Sequence, residues 1–382
     1  MRRAIPLSLI AALLGFTAVG AQVASASPFG SPVVGHVYVN DNTAGTNTIA
    51  AFARHADGSL TTAPGSPFAT GGAGTGVGTG SEGALQQTDN GRYLLAVDAG
   101  SNQISVLQIE PDGTLRNIPG GTVSSDGTEP VSIAVHRHLV YVANSGAGGS
   151  NYTGFIFWHG YLFPVPGSTV SLPDGADPGD VLFNSTGTLL AGTRVGTSQI
   201  DSFSVGHDGL LTPAVGSPFA AQGVGPFGSE FRPTNSTQLF VSNAHGGAGN
   251  GTVSAFQVSP SGALTSIGAS PFADDQTAPC WVEISHDGRF LFAVNTAVPS
   301  ISRYSIGWDG SLHLLGSTPF KGGTTLGPFD ARLSPDGRTL WVVDDGGHAV
   351  SGFRVDAGSL TELPSSPTAL PAGATPFGIV VN

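Results

Sequence analysis

One feature restricts this chain more than any other: a short turn signature that recurs along its whole length. Gly-x-Leu occurs as Gly58-Ser59-Leu60, Gly113-Thr114-Leu115, Gly160-Tyr161-Leu162 and Gly209-Leu210-Leu211. It returns as Gly262-Ala263-Leu264, Gly310-Ser311-Leu312 and Gly358-Ser359-Leu360. The copies are spaced by roughly 50 residues, a period that marks a chain built from one repeated supersecondary unit. Such a unit cannot bury its apolar face alone and needs its neighbours. In four copies the glycine follows aspartate. Asp-Gly is a hairpin signal, because glycine accepts the positive backbone angles of tight turns.

Further signatures lie within each period. A β-rich run ends in asparagine or aspartate at Asn40, Asp98, Asn144, Asn243, Asn295 and Asp344, and the fourth copy instead reads Leu190-Ala191-Gly192-Thr193-Arg194. A proline opens the unit at Pro130, Pro178, Pro226, Pro279, Pro328 and Pro376, with Glu82 in the remaining one. Asp-Gly-Arg turns at Asp287 and Asp336 join the first strand to the second. Four short strands per unit, repeated seven times, is the arithmetic of propeller blades. The expected fold is all-β: a single seven-bladed β-propeller with four-stranded blades over residues 27–382. Thr375–Val381 reads as an inner strand with no second strand after it, and His36–Asn40 as a second strand with no first. The N- and C-terminal strands are therefore expected to share one blade and close the ring, which removes an open sheet edge.

Residues 1–26 read as an export leader. Arg2-Arg3 is followed by an apolar run and by Ala24-Ser25-Ala26, a small-x-small cleavage pattern. A secreted, periplasmic or extracellular location is expected, with no membrane association once the leader is removed. The net charge is −12 and charged residues are only 10%. That excludes a general nucleic-acid binder, which needs basic surface to displace counterions. Cys280 is the sole cysteine, so no internal disulfide framework exists. A monomer is expected, with a small molecule or an extracellular partner as ligand.

The Gly-x-Leu turns, Ser334-Pro335-Asp336-Gly337-Arg338 and Tyr141-Val142-Ala143-Asn144 together resemble the seven-bladed propeller lactonase family. That family includes propeller-type 6-phosphogluconolactonases and carboxymuconate cycloisomerases. Gln276–Val282, followed by Asp287-Gly288-Arg289-Phe290, is similar to an exported bacterial branch. The resemblance implies a hydrolase or isomerase acting on a lactone or small organic acid. It also implies a Gly-Pro-Arg-His motif at the start of an inner strand and Asn-Glu at the end of the next. Here those stretches read Gly225-Pro226-Phe227-Gly228 and Asn243-Ala244, and Val131-Ser132 follow Pro130 where another family histidine is implied. Two readings follow: an exported propeller acting on a lactone or organic acid through a rewired site, or a non-catalytic extracellular propeller that binds a carbohydrate or a protein.

Strand direction alternates within a blade. The second-to-third-strand loops and the inner-strand starts thus share one face, where any site is expected. His245 follows Asn243 on that face and is the candidate catalytic base; the plainer reading is a solvated loop histidine. His348 is placed similarly. Asn144, Asn243, Asn295 and Asp344, with Asn40 and Asp98, are expected to ring the channel mouth. They are candidate ligand-binding residues, or caps of strand ends. No metal site is assigned and no cofactor is expected, although oxygen ligands of this kind suit calcium at the channel mouth. Arg194 is the candidate anchor for a carboxylate or oxyanion, or else the partner of Asp98 or Asp344. Trp281, beside Cys280 at an inner-strand start, is a further ligand-binding candidate, or core packing between blades.

Overall fold

The computed structural model describes residues 30–323 and 327–382. The leader expected over residues 1–26 lies outside them. The described chain forms seven antiparallel sheets. Their inner strands are Leu85–Gln87 (blade 1), Pro130–His136 (blade 2), Pro178–Phe183 (blade 3), Pro226–Phe231 (blade 4), Pro279–Ile284 (blade 5), Pro328–Leu333 (blade 6) and Phe377–Val381 (blade 7). Each inner strand packs against that of the next blade, and blade 7 against blade 1, so the ring is complete.

Blade 7 closes it with both ends of the chain. Val33–Asn40 pairs with Phe377–Val381 through Val37 opposite Val381, Tyr38 opposite Val380 and Val39 opposite Ile379. Each blade has the expected four strands. In five of the seven sheets a two-residue strand, such as Phe68–Ala69, adds a further pairing to the third strand.

The Gly-x-Leu signature forms the turn between third and outer strands. At Gly113 φ is +81°, and a Cβ there would lie 2.0 Å from the His36 ring. The preceding Asp112 accepts from the Thr114 amide at 3.1 Å, an Asx turn that fixes the hairpin. The blades are held face to face by alternating apolar residues. Between blades 1 and 2, Leu95, Val97, Val106, Val140, Val142 and Phe155 are fully or almost fully buried in one cluster. Each such side chain contributes about 1.5–3 kcal/mol on burial. No helix among the described residues is long and apolar enough to cross a membrane.

In blades 2 to 6 the inner-strand ladder shifts register just after its proline, at Pro130/Ser132, Pro178/Asp180, Pro226/Ser229, Pro279/Trp281 and Pro328/Ala331. Bulges re-aim side chains. These shifts help to set the residues that face the central channel.

Candidate functional site

A cavity of about 510 Å³ opens on the face that carries the inner-strand starts and the second-to-third-strand loops. It lies over blades 1 to 4. Glu129 and Asp177 come from the residues just before Pro130 and Pro178, and His245 from the loop after Asn243. Ser145, Gly146 and Ala147 of the long glycine-rich loop form part of the wall. Phe227 is the floor: it is buried against Val195, Ala244 and Cys280. Its ring meets that of His245 edge-on at 6.0 Å between centroids. Glu129 and Asp177 hold φ of +54° and +45°, where the equivalent residue of blade 4 is Gly225 at +65°. Non-glycine residues in that region carry strain of order 1–3 kcal/mol, and such strain clusters at functional sites. Among the described residues no lysine or arginine lines the cavity. Its polar chemistry is two carboxylates, one exposed imidazole and small hydroxyl groups around an aromatic floor.

The other candidates are dispersed. Asn144, Asn243, Asn295 and Asp344 are all buried at the ends of their strands. They do not line the channel mouth, because their side chains bond within their own blades. Asn295 donates to Ser302 at 2.9 Å, Asn243 to Ser254 at 2.9 Å, and Asn144 to Asn151 at 2.9 Å. Asp344 accepts from Ser351, and Asp98 from Thr70 at 2.6 Å and from Ser105. In blade 7 this position belongs to Asp41, opposite Thr48, and not to Asn40, which sits one residue earlier opposite Ile49. Arg194 is likewise turned away from the channel. Its Nε and Nη2 both donate to Asp201 at 2.6 Å, and Asp201 also accepts the Tyr152 hydroxyl at 3.0 Å. The partner is therefore neither Asp98 nor Asp344. Among the described residues no group of three or more His, Cys, Asp or Glu side chains is arranged to hold a metal ion. His348 is tied to the Ala374 carbonyl at 2.7 Å, away from His245. Cys280 is buried, and burial together with the Glu82 carboxylate pushes its thiol up to about 12, far from a nucleophile's range.

The family model described as "Lactonase, 7-bladed beta-propeller" matches residues 230–377. Over that stretch the chain is similar to the seven-bladed propeller lactonases. No curated protein matches this lactonase-like propeller, but solved structures resemble it closely in fold. A Bacteroides uniformis protein provisionally named a 6-phosphogluconolactonase is 18% identical with a TM-score of 0.72, covering 91% of this chain and 99% of its own. The periplasmic gluconolactonase of Pseudomonas aeruginosa is 17% identical with a TM-score of 0.71, covering 91% and 98%. A Lactobacillus plantarum protein is 20% identical with a TM-score of 0.72, covering 91% and 99%. At these identities the likeness is one of fold.

Deeper in this lactonase-like propeller, the inner strands bring together a group that sequence reading did not assemble. Asp180 and Asp330 lie two residues after their prolines, and Glu230, Glu283 and Arg332 lie four residues after theirs. Arg332 stacks on Trp281 with its guanidinium 4.5 Å from the ring centroid. It meets Glu283 at 3.3 Å and Asp330 at 3.6 Å. Glu82 has no exposure, and neither of its carboxylate oxygens has a hydrogen-bond partner among the described residues. Burial, then the charges of Asp330 and Asp180, push it well above the usual carboxylate range. Burial raises Asp180 and Asp330 to about 6. Burial also opposes the charge on Arg332, but the surrounding carboxylates outweigh it and hold the guanidinium charged. Trp281, a predicted ligand-binding residue, thus stands in this channel and not at the His245 cavity. The available signal was a charge two or four residues after the strand-opening proline in blades 3 to 6.

Proposed function

We propose that this protein hydrolyses an uncharged lactone of a polyhydroxylated acid in the cavity beside His245. The observation that carries this reading is the juxtaposition of His245, Glu129 and Asp177 around Phe227 in a cavity that no lysine or arginine lines among the described residues. His245 takes a proton from water as the water oxygen bonds to the lactone carbonyl carbon. The ring C–O bond then breaks and the leaving alkoxide recovers the proton, giving a hydroxy acid. Glu129 and Asp177 accept hydrogen bonds from substrate hydroxyls. The same two carboxylates admit a neutral lactone, repel the anionic product and disfavour a phosphorylated substrate. We propose also that the chain works outside the cytoplasm. The leader pattern of residues 1–26 supports this, as does the likeness to a structure named a periplasmic gluconolactonase.

A second reading, a non-catalytic binding propeller, is favoured by one observation. Phe227, Gly228 and Ala244 stand where the family resemblance implies arginine, histidine and glutamate. A Cβ at Gly228 would lie 2.6 Å from the Trp281 ring and 2.7 Å from the Cys280 carbonyl oxygen, so no histidine fits there. Hydrolysis of glucono-δ-lactone and its 6-phosphate, followed against the spontaneous rate, separates the two. Saturable turnover of the neutral lactone that His245→Ala abolishes supports the hydrolase. Calorimetric binding without turnover supports the binding module. The absence of both turnover and binding would overturn both readings of the cavity.

A further inference from the structure

The outer hairpin of blade 2 departs from its counterparts in one respect. Its strands, Asn151–Trp158 and Tyr161–Pro164, pair Ile156 opposite Phe163 and Trp158 opposite Tyr161. Side chains alternate along a strand, so these four share one face. That face is open to solvent: Trp158 and Phe163 are each 53% exposed, Tyr161 41% and Ile156 38%. The other face, Phe155, Phe157 and Leu162, is buried in the blade. Blade 6 builds the same hairpin in the same register, with Arg354 opposite Thr361 and Asp356 opposite Ser359. There the four outward residues are polar. The fold therefore does not require the apolar set on blade 2.

Two hollows of about 420 and 410 Å³ flank this hairpin on the lower face, and Arg137 and His138 line both. The first is also lined by Asp89, Asn90, Arg92, Trp158 and His159. The His138 ring lies 5.5 Å from that of Trp158. Arg92 and Arg137 are exposed and have no ion pair among the described residues. In a chain of net charge −12, the first hollow sets two guanidinium groups beside the aromatic ledge against the one carboxylate of Asp89, and the second sets Arg137 against Asp208.

We propose that this ledge and its two hollows bind an extended acidic polysaccharide, with Trp158, Tyr161 and Phe163 under the sugar faces and Arg92 and Arg137 on its carboxylates. Aromatic rings give broad apolar contact at low entropic cost, and arginine forks match carboxylate geometry. Two hollows joined through Arg137 and His138 suit a chain longer than one ring. A second copy of this acidic protein is the poorer occupant, because net repulsion opposes it. The site lies on the face opposite the His245 cavity and does not rest on the lactone reading.

Calorimetric titration of the protein with a galacturonic acid tetramer, a neutral cello-oligosaccharide and anionic lipid vesicles tests this. The tetramer is expected to bind, more weakly at high salt, with the neutral chain at least tenfold weaker. The double variant Trp158→Asp with Tyr161→Ser places the blade 6 residues on the blade 2 hairpin. It should keep its thermal midpoint and lose at least tenfold in affinity, as should Arg137→Ala. No binding of the tetramer, binding unchanged in these variants, or Trp158-dependent binding to vesicles alone would overturn the proposal.

Discussion

Arg194 and Asp201 occupy in blade 3 the positions that Asn295 and Ser302 occupy in blade 5. In each blade the end of the second strand reaches a side chain on the third strand, two residues past its direct partner. Arg194 faces Gln199 and bonds Asp201; Asn295 faces Ser300 and bonds Ser302. The same relation links Asp98 to Ser105, Asn243 to Ser254 and Asp344 to Ser351. One structural pair therefore recurs round the ring, and in blade 3 both members have changed together into a buried ion pair.

This equivalence predicts a specific pattern of stability. Arg194→Asn alone strands a buried Asp201, and removing one partner of a buried pair typically costs about 3–5 kcal/mol. Asp201→Ser alone strands the guanidinium and should be comparably costly. Both changes together restore the pair found in blade 5 and should recover most of the loss. Chemical denaturation of the three variants checks it. Equal damage in the double variant would mean that the positions are not interchangeable.

The blades were legible because their signals are local. Gly113 sits in a turn fixed by its own neighbours, and the register of one hairpin follows from a few residues. The role of Arg194 was not legible, because the guanidinium could be assigned only once the third-strand register placed Asp201 beside it. The channel group was hidden for another reason. Glu82, Asp180, Glu230, Glu283 and the Asp330–Arg332 pair are nearly solitary charges in or just before the inner strands of five different blades, and only closure of the ring brings them together. Strand alternation alone put His245 on the face of the inner-strand starts, whereas Glu129 and Asp177 carry no local signal beyond a single acidic residue before a proline.

Asp344 makes stability depend on pH in an unusual direction. Burial, with Glu362 adding in the same sense, raises its carboxyl to about 8 despite the Ser351 hydrogen bond. The unfolded chain releases that proton near the ordinary value of about 3.9. The native state thus holds more protons between these values, so stability is full below about pH 4 and falls as pH rises toward about 8. Asp41, raised to about 7 by burial, acts in the same direction. The thermal midpoint should be higher at pH 5 than at pH 8.5. Asn occupies the equivalent site in blades 4 and 5, so Asp344→Asn should fold normally and flatten the decline. A wild-type midpoint that is level across this range would show that the proton is not retained.

Among the described residues Arg332 is the one cation in the channel group, and its loss should be costly. Arg332→Leu removes the partner of Glu283 and Asp330 and the cation on Trp281, at a cost of about 3–5 kcal/mol. The loss should be larger at pH 8 than at pH 5, where the raised carboxyls of Asp180 and Asp330 hold protons. Arg332→Lys keeps the charge but not the planar fork, and should fall between. Tryptophan fluorescence during urea unfolding reports it. A loss that is the same at both pH values would place the variant's effect in packing and not in charge.

Closure of the ring can be tested at one glycine. Gly378 lies in the inner strand of blade 7 with φ of +77°. A Cβ there would lie 2.5 Å from the Leu85 amide nitrogen and 2.9 Å from the Ala84 carbonyl carbon. Those atoms are backbone of blade 1 and cannot swing aside as a flexible side chain does. Gly378→Ala therefore carries two costs: a conformation that residues with a Cβ rarely adopt, and a collision across the seam where the chain's two ends meet. Gly373 separates them. Its φ is +84°, yet nothing lies within 4 Å of a Cβ built there. Gly373→Ala should cost about 1 kcal/mol from the backbone alone, and Gly378→Ala clearly more. Deleting residues 375–382 should cost most, because it leaves Val37, Tyr38 and Val39 without their partner strand and opens an edge beside the channel. Thermal unfolding of the three variants gives the order. Equal midpoints for Gly378→Ala and Gly373→Ala would mean that the seam between blades 7 and 1 yields to the added methyl, and that closure depends on strand pairing alone.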